Sequence, residues 1–177
     1  MSPDPDELAG VVDLFGALTP GELETAVAEW GARTGAEGAD VAETVASARE
    51  QFALVAVDPE AVGGLDAEAV ADQGENEADG DGAPTLLVAG PTAFPTLPDG
   101  AEDLPHVLDI DRRSVDRAAA GAQAMANLRG AAARAVQDGD RDRIARLLDV
   151  TYEIESWAPV EAGEVREHLA DALDRTG

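Results

Sequence analysis

The arrangement in this chain most able to do chemistry is a histidine set among acids. His106 is flanked by Asp103, Asp109 and Asp111, and imidazole with carboxylates is a donor set that suits a divalent metal. Pro98 and Pro105 restrict how this segment can fold back on itself, and carboxylates are so frequent here that any histidine has them as neighbours. A capping or surface histidine is therefore expected, and no metal site is assigned. His168 is the other imidazole. Asp138-Gly139-Asp140-Arg141-Asp142 imitates the start of a calcium loop. The sixth position is Arg143, where the turn needs glycine, and the twelfth is Asp149 rather than glutamate. A helix cap is the expected role of this stretch.

Other chemistries find no support. The chain has no cysteine, which removes disulfides, thiolate ligands and thiol nucleophiles together. Its serines are Ser2, Ser47, Ser114 and Ser156, and none sits in a Gly-x-Ser-x-Gly elbow. Gly63-Gly64 lacks the pattern of a phosphate loop and a following lysine. Among 37 Asp and Glu residues, spacing cannot single out an acid–base pair. No catalytic residue and no cofactor is assigned; an enzyme with an unrecognised site ranks third among the functional readings.

The basic residues say more. All 12 are arginine, and lysine is absent. Residues 1–110 hold 24 acids and two arginines, a net of −22, whereas residues 111–177 hold 13 acids and ten arginines, a net of −3. Arg112, Arg113 and Arg117 form one cluster and Arg141, Arg143 and Arg146 another. These six are the candidate contact residues for a protein partner, another copy of the chain or a different protein. Tyr152 and Trp157 could anchor such a partner if exposed, but core packing is the favoured expectation for both.

The elements that must position these side chains follow from apolar periodicity. Leu8, Val11, Val12, Phe15 and Leu18 share one face of a helix from about Asp6 to Leu18. Thr19, Pro20 and Glu22 start a second helix as N-cap, N1 and N3 of a capping box, with Leu18 and Leu23 as a hydrophobic staple. Leu23, Ala26, Val27 and Trp30 continue it until Thr34-Gly35. A third helix follows Asp40, with Val41, Val45, Ala48 and Phe52 as its stripe. The runs Ala53–Val57 and Thr85–Ala89 read as strands. Between them lies an acidic loop at about 72–84, with a weak helix near Asp66–Ala71.

Three helices and two strands able to pair give the element order of a winged helix-turn-helix over residues 1–93. Residues 94–110 form a Pro-rich connector whose Phe94, Leu97 and Leu104 are expected to lie on the domain. Residues 111–177 are expected to form a C-terminal bundle of about three helices. The first starts at Asp111 or Ser114 and buries Val115, Ala118, Ala122, Met125, Leu128, Ala132 and Ala135. The stretch Val150–Ser156 reads as either helix or strand. The fold class is thus mainly α, with an α+β N-terminal half. A winged helix suggests a DNA-binding transcriptional regulator, with Arg33 and Arg49 as the cations available for DNA. Their scarcity disfavours a grip on phosphate, so a non-enzymatic regulatory or protein-interaction role is preferred.

The formal net charge of −25 would oppose compaction in dilute buffer. At 1 M salt the Debye length falls to about 3 Å and that repulsion is largely screened. An extremely halophilic microbe and a cytoplasmic location are expected, because the N-terminus lacks a signal-peptide pattern and no stretch approaches a membrane span. Val11–Thr19 with Glu22-Leu23, Phe94–Pro98 with Glu102–His106, and Trp157–Val160 are similar to an uncharacterised family of haloarchaeal acidic proteins. The resemblance covers most of the chain apart from the acidic loop. It implies an archaeal, halophilic protein and brings no activity and no catalytic residues.

Overall fold

The computed structural model describes residues 3–35, 41–65 and 85–175. The chain divides into two compact units, Met1–Asp116 and Arg117–Gly177. The first contains α1 (Pro5–Phe15), α2 (Pro20–Thr34), α3 (Val41–Glu50), β1 (Leu54–Val57), a 3-10 turn (Pro59–Ala61), β2 (Val62–Gly63), β3 (Leu86–Ala89), α4 (Leu104–Leu108) and β4 (Ser114–Val115). The second contains α5 (Arg117–Asp138), α6 (Arg141–Trp157) and α7 (Gly163–Arg175). The fold is mainly helical with a small α+β component, as the patterning predicts. The acidic loop at 72–84, the helix expected near Asp66–Ala71 and the start signal at Asp40 lie outside the described residues.

Capping fixes the first two helices. Asp4 caps α1 by accepting from the Glu7 N–H, and the Glu7 carboxylate accepts from the Asp4 N–H in return. Thr19 and Glu22 do the same for α2, at 3.1 and 2.8 Å, so the sequence-derived capping box is present. Its staple residues Leu18 and Leu23 are both buried. Gly35 ends α2 in the left-handed region at φ 76°, where a Cβ is disfavoured. Phe52 ends α3 differently. It adopts φ 63°, and the Ala53 and Phe52 N–H groups donate to the Ala48 and Arg49 carbonyls. That is the bonding of a Schellman cap with a bulky residue at the position that favours glycine. Burial of the phenyl ring offsets the backbone cost.

The predicted strands pair antiparallel, Leu54 opposite Ala89 through Val57 opposite Leu86. All four residues of β3 are buried. The reason is on its far edge, where Leu18 exchanges both backbone hydrogen bonds with Leu87, at 3.1 and 2.7 Å. The segment joining α1 to α2 thus pairs with β3, which lies between it and β1. A second short pair, β2 with β4, matches Val62 to Val115. It lies outside what periodicity could reveal, because two-residue strands carry no pattern.

The Pro-rich segment behaves differently from its expectation. Leu104 is buried, but Phe94 is 78% and Leu97 38% exposed. It is the backbone that lies on α1. The Phe94 N–H donates to Asp6 Oδ1 and the Thr96 N–H to the Asp6 carbonyl. The Thr96 carbonyl lies where a Cβ on Gly10 would be. Further along, Trp30 Nε1 donates to the Asp99 carbonyl at 3.0 Å, and Ala101 and Leu104 turn inward.

In the second unit α5 starts at Arg117, not at Asp111 or Ser114. Residues 113–116 are already engaged: the Arg113 N–H donates to the Phe15 carbonyl, Ser114 and Val115 form β4, and the Asp116 N–H donates to the Ala61 carbonyl. The buried face of α5 is Ala120, Gly121, Ala124, Met125, Leu128, Ala131, Ala132 and Ala135. Ala118 and Ala122, expected inside, are exposed. Alanine occurs all round this helix, so composition could not choose the face. The contact at Gly121, where a Cβ would come within 2.5 Å of the Ala158 Cβ, chooses it. Gly139 turns the chain at φ 66°, and Asp140 caps α6 by accepting from the Arg143 N–H. The stretch Val150–Ser156 is helical within α6.

Gly16 has φ 81°, and a Cβ there would overlap the Arg113 carbonyl oxygen. Gly35 has a similar φ but open space around it. Gly16→Ala is therefore expected to lose about 2–3 kcal/mol of stability, against about 1 kcal/mol for Gly35→Ala. Denaturant unfolding of the two variants measures the difference.

Candidate functional site

The structure sorts the candidate arginines into groups with different roles. Arg113 is internal. Its Nη1 and Nη2 donate to Glu22 Oε2 and Oε1 at 2.6 and 2.7 Å, and Nη1 also reaches the Ala17 carbonyl at 3.0 Å. The two side chains are only 10% and 11% exposed. Arg112 donates to the Leu14 carbonyl at 3.0 Å. With the Arg113 N–H on the Phe15 carbonyl, these neighbours satisfy carbonyls at the end of α1, which has no basic residue in its own last turn. Both belong to the first unit, whereas Arg117 opens the second.

Burial pushes the Glu22 carboxyl up. Hydrogen bonds from Arg113 and the Thr19 backbone, with the Arg113 charge, outweigh it and leave the group below its ordinary value. Glu22 was legible in the sequence only as the N3 residue of the capping box. Its pairing with a residue 91 positions away has no local signal.

In the second unit Arg117 lies over the Trp157 ring, 4.8 Å from its centre. Arg141 donates to the Leu173 carbonyl in the last turn of α7, which suits a cation at a helix C-terminus. Arg143 and Arg146 lie one turn apart on α6. Their guanidinium groups, and those of Arg129 and Arg134 on α5, form no ion pair or side-chain hydrogen bond with another described residue. Helical spacing places Arg143 and Arg146 on the flank of α6 opposite Arg141 and hence away from α7. Arg134 stands four residues before the end of α5 and Arg143 three after the Asp140 cap. At about 1.5 Å rise per residue, they lie at the same end of the bundle.

Arg141 and Arg143 stand in the first turn of α6, where the helix dipole disfavours cations, beside Asp140 and Asp142, which it favours. Farther along, α6 carries Arg146 and then Asp149, Glu153 and Glu155. Acids near the N-terminus and bases near the C-terminus would be the stabilising order. Arg141 has its own reason in the α7 carbonyl; Arg143 and Arg146 have no such hydrogen bond or ion pair among the described residues.

Arg166 was not selected from the sequence. It holds α7 to α6 by donating from Nε to Thr151 Oγ1 and from Nη2 to the Thr151 carbonyl and Glu155. It also stacks 4.1 Å from the centre of the Tyr152 ring. Glu155 accepts from the Ala162 N–H just before α7. That bond and the Arg166 bond keep its carboxyl below the ordinary value. Glu153 is moved the other way by burial and by Asp149. Tyr152 is 57% exposed, so core packing does not account for it. Trp157 is half-buried.

Of the alternative DNA contacts, Arg33 pairs with Asp103 at 3.4 Å. Arg49 is exposed at the end of α3, next to the exposed Glu50 and on a helix that also exposes Glu43. His106 is exposed on α4. Among the described residues, no group of three or more His, Asp or Glu side chains is arranged to hold a metal ion. No helix of the described residues is long and apolar enough to cross a membrane.

Because the folded Glu22 carboxyl is lowered from 4.5, its stabilising contribution is complete above that value. It is lost as the pH falls from there through the folded pKa. Glu22→Gln is expected to flatten the acid limb of the stability–pH profile. Arg113→Gln is expected to cost about 3 kcal/mol near neutral pH, since it strands a largely buried carboxylate. Urea unfolding across the acid range at constant high salt checks both.

No match to the chain was found among curated proteins or among solved structures. One family model does match, over residues 6–174, a span reaching from the first turn of α1 to the end of α7. The chain belongs to that family, a family of unknown function designated DUF7109.

Proposed function

We propose that the protein is a non-enzymatic regulatory or protein-interaction protein adapted to a high-salt cytoplasm. In this reading the second unit supplies the contact surface. The observation that carries it is the set Arg129, Arg134, Arg143 and Arg146, whose guanidiniums lack an ion pair among the described residues in a chain of 37 acids. Exposed ion pairs contribute little, but Arg143, left unpaired in the first turn of α6 where the dipole disfavours a cation, is better explained by a partner than by stability. The candidate contact residues are then Arg117, Arg141, Arg143 and Arg146, with Arg112 and Arg113 serving the first unit internally. The charge supports a halophilic, archaeal origin, since a net of −25 is tolerable where salt screens it.

The pairing of Leu18 with β3 favours a second reading. A short strand between the first two helices, paired to the second strand of the hairpin, fits the winged helix-turn-helix order of helices and strands. A DNA-binding regulator would then read DNA with α3. The exposed acids of that helix, Glu43 and Glu50, oppose this, because phosphate contacts are made mainly by Lys and Arg.

A pull-down at molar KCl with the full chain as bait separates the readings. Arg143→Glu with Arg146→Glu is expected to abolish recovery of a protein partner, and Arg33→Glu with Arg49→Glu to leave it. Equal effects of the two pairs would refute the contact surface. Fluorescence anisotropy against genomic DNA fragments at the same salt should show no sequence-specific binding; binding lost in Arg49→Ala would install the DNA reading instead.

A further inference from the structure

Among the described residues, Phe52 and Asp109 are the non-glycine positions in the left-handed region, with φ 63° and 54°. An aspartate adopts that conformation readily, whereas a phenylalanine is strained in it. Such strain persists only where the surroundings hold it. At Phe52 they hold one side of the residue more firmly than the other.

The firm side runs from the Cα onward. The Phe52 carbonyl accepts from the Thr92 N–H at 3.3 Å, and the Ala53 carbonyl from the Gly90 N–H at 2.8 Å. Gly90 lies so close to this turn that a Cβ on it would come within 2.2 Å of the Phe52 carbonyl oxygen. The Phe52 ring is buried, and β1 follows, paired with β3. The other side is α3. It fully buries only Ala48, where α1 buries six residues and α2 five. Ala42, Glu43, Ala46, Arg49 and Glu50 are exposed. An element with so few buried apolar groups has low local stability. Hydrogen bonds that cross between the two sides are those from Thr92 Oγ1 to the Gln51 carbonyl at 2.7 Å and from the Ala53 N–H to the Ala48 carbonyl at 2.9 Å.

We propose that Phe52 is a strained hinge about which α3 swings open, with the Thr92 hydroxyl as its latch. The φ angle is rotation about the N–Cα bond, so a change of φ at Phe52 swings α3 relative to the ring, β1 and β3. The swing breaks the Thr92–Gln51 and Ala53–Ala48 bonds and returns Phe52 to negative φ. Strain therefore favours the open form. The latch opposes it, together with Val41 and Val45, which are partly buried against the core. Opening uncovers the faces of α1 and β1 on which α3 packs. The first unit thus has two forms, and a partner that binds α3 or the faces beneath it shifts their balance by its differential affinity.

Hydrogen exchange of the full chain at constant molar KCl, read by mass spectrometry in low denaturant, tests this. Amides of α3 should exchange at least about tenfold faster than those of α1 and α2, with a smaller dependence on denaturant, while β1 stays protected. Thr92→Val keeps the side-chain shape and removes the hydroxyl, and it should speed α3 exchange about fivefold while leaving α1 and β1 unchanged. Phe52→Ala and Phe52→Gly lose the same ring, but only glycine is unstrained in the closed form. Exchange of α3 should be about threefold slower in the glycine variant than in the alanine variant, relief of strain outweighing the freedom glycine adds when open. Exchange of α3 only through global unfolding, a Thr92→Val effect spread equally over α1 and β1, or a glycine variant no slower than the alanine variant would each overturn the proposal.

Discussion

Arg113 and Glu22 meet where three chain ends converge. Glu22 is the N3 residue of the α2 capping box, so one of its oxygens already accepts from the Thr19 N–H. Both its oxygens take the Arg113 guanidinium as well. The Arg113 backbone closes the end of α1 through Phe15, and its carbonyl requires Gly16 to lack a side chain. The α1 terminus, the α2 start and the segment leading to β4 therefore meet at Arg113, through its backbone and its ion pair with Glu22. Molar salt weakens exposed pairs, but a pair only about a tenth exposed is shielded from that screening. The same principle recurs in the second unit, where Arg166 joins α6 to α7 through Thr151 and Glu155.

These internal roles change what the arginines mean. Read along the chain, Arg112, Arg113 and Arg117 look like one basic cluster. In the fold the first two satisfy carbonyls of α1 and the loop after it, and the third covers an indole. What distinguishes Arg143 and Arg146 is therefore the lack of an internal use for them among the described residues, rather than their being basic. An arginine that caps a carbonyl or covers a ring is accounted for by the fold. One that has no such use among the described residues invites an explanation outside it.

Local chemistry was the legible part. The Thr19 box, the Gly35 stop, the Asp140 cap and the two longer strands depend on residues within a few positions of one another, and each is where the sequence puts it. Features set by distant residues were not. Arg113 gives no sign that it will reach Glu22, and Ser114-Val115 look like the start of a helix until Val62-Gly63 claim them as a strand. The face of α5 could not be read, because alanine on every side leaves the choice to one close approach at Gly121. Phe94 looked like an anchor into the core; a backbone held by Asp6 turns it outward instead. The candidate contact surface was legible only as a region. Which arginines belong to it depends on bonds spanning more than 90 residues in the first unit.

The charge asymmetry survives this reassignment. Moving the boundary from residue 110 to residue 116 transfers Arg112 and Arg113 to the first unit, together with Asp111 and Asp116. The first unit then holds 26 acids and four arginines and the second 11 acids and eight arginines, so the nets stay at −22 and −3. The contrast is thus a property of two folded bodies and not of an arbitrary cut. An acidic surface that served only to hold water in strong salt would need no such division, since both bodies meet the same solvent. The near-neutral unit is also the one whose arginines outnumber its internal uses for them. The proposed adaptation to high salt accounts for the charge of the first unit, and the proposed binding role for the second accounts for its departure from that charge.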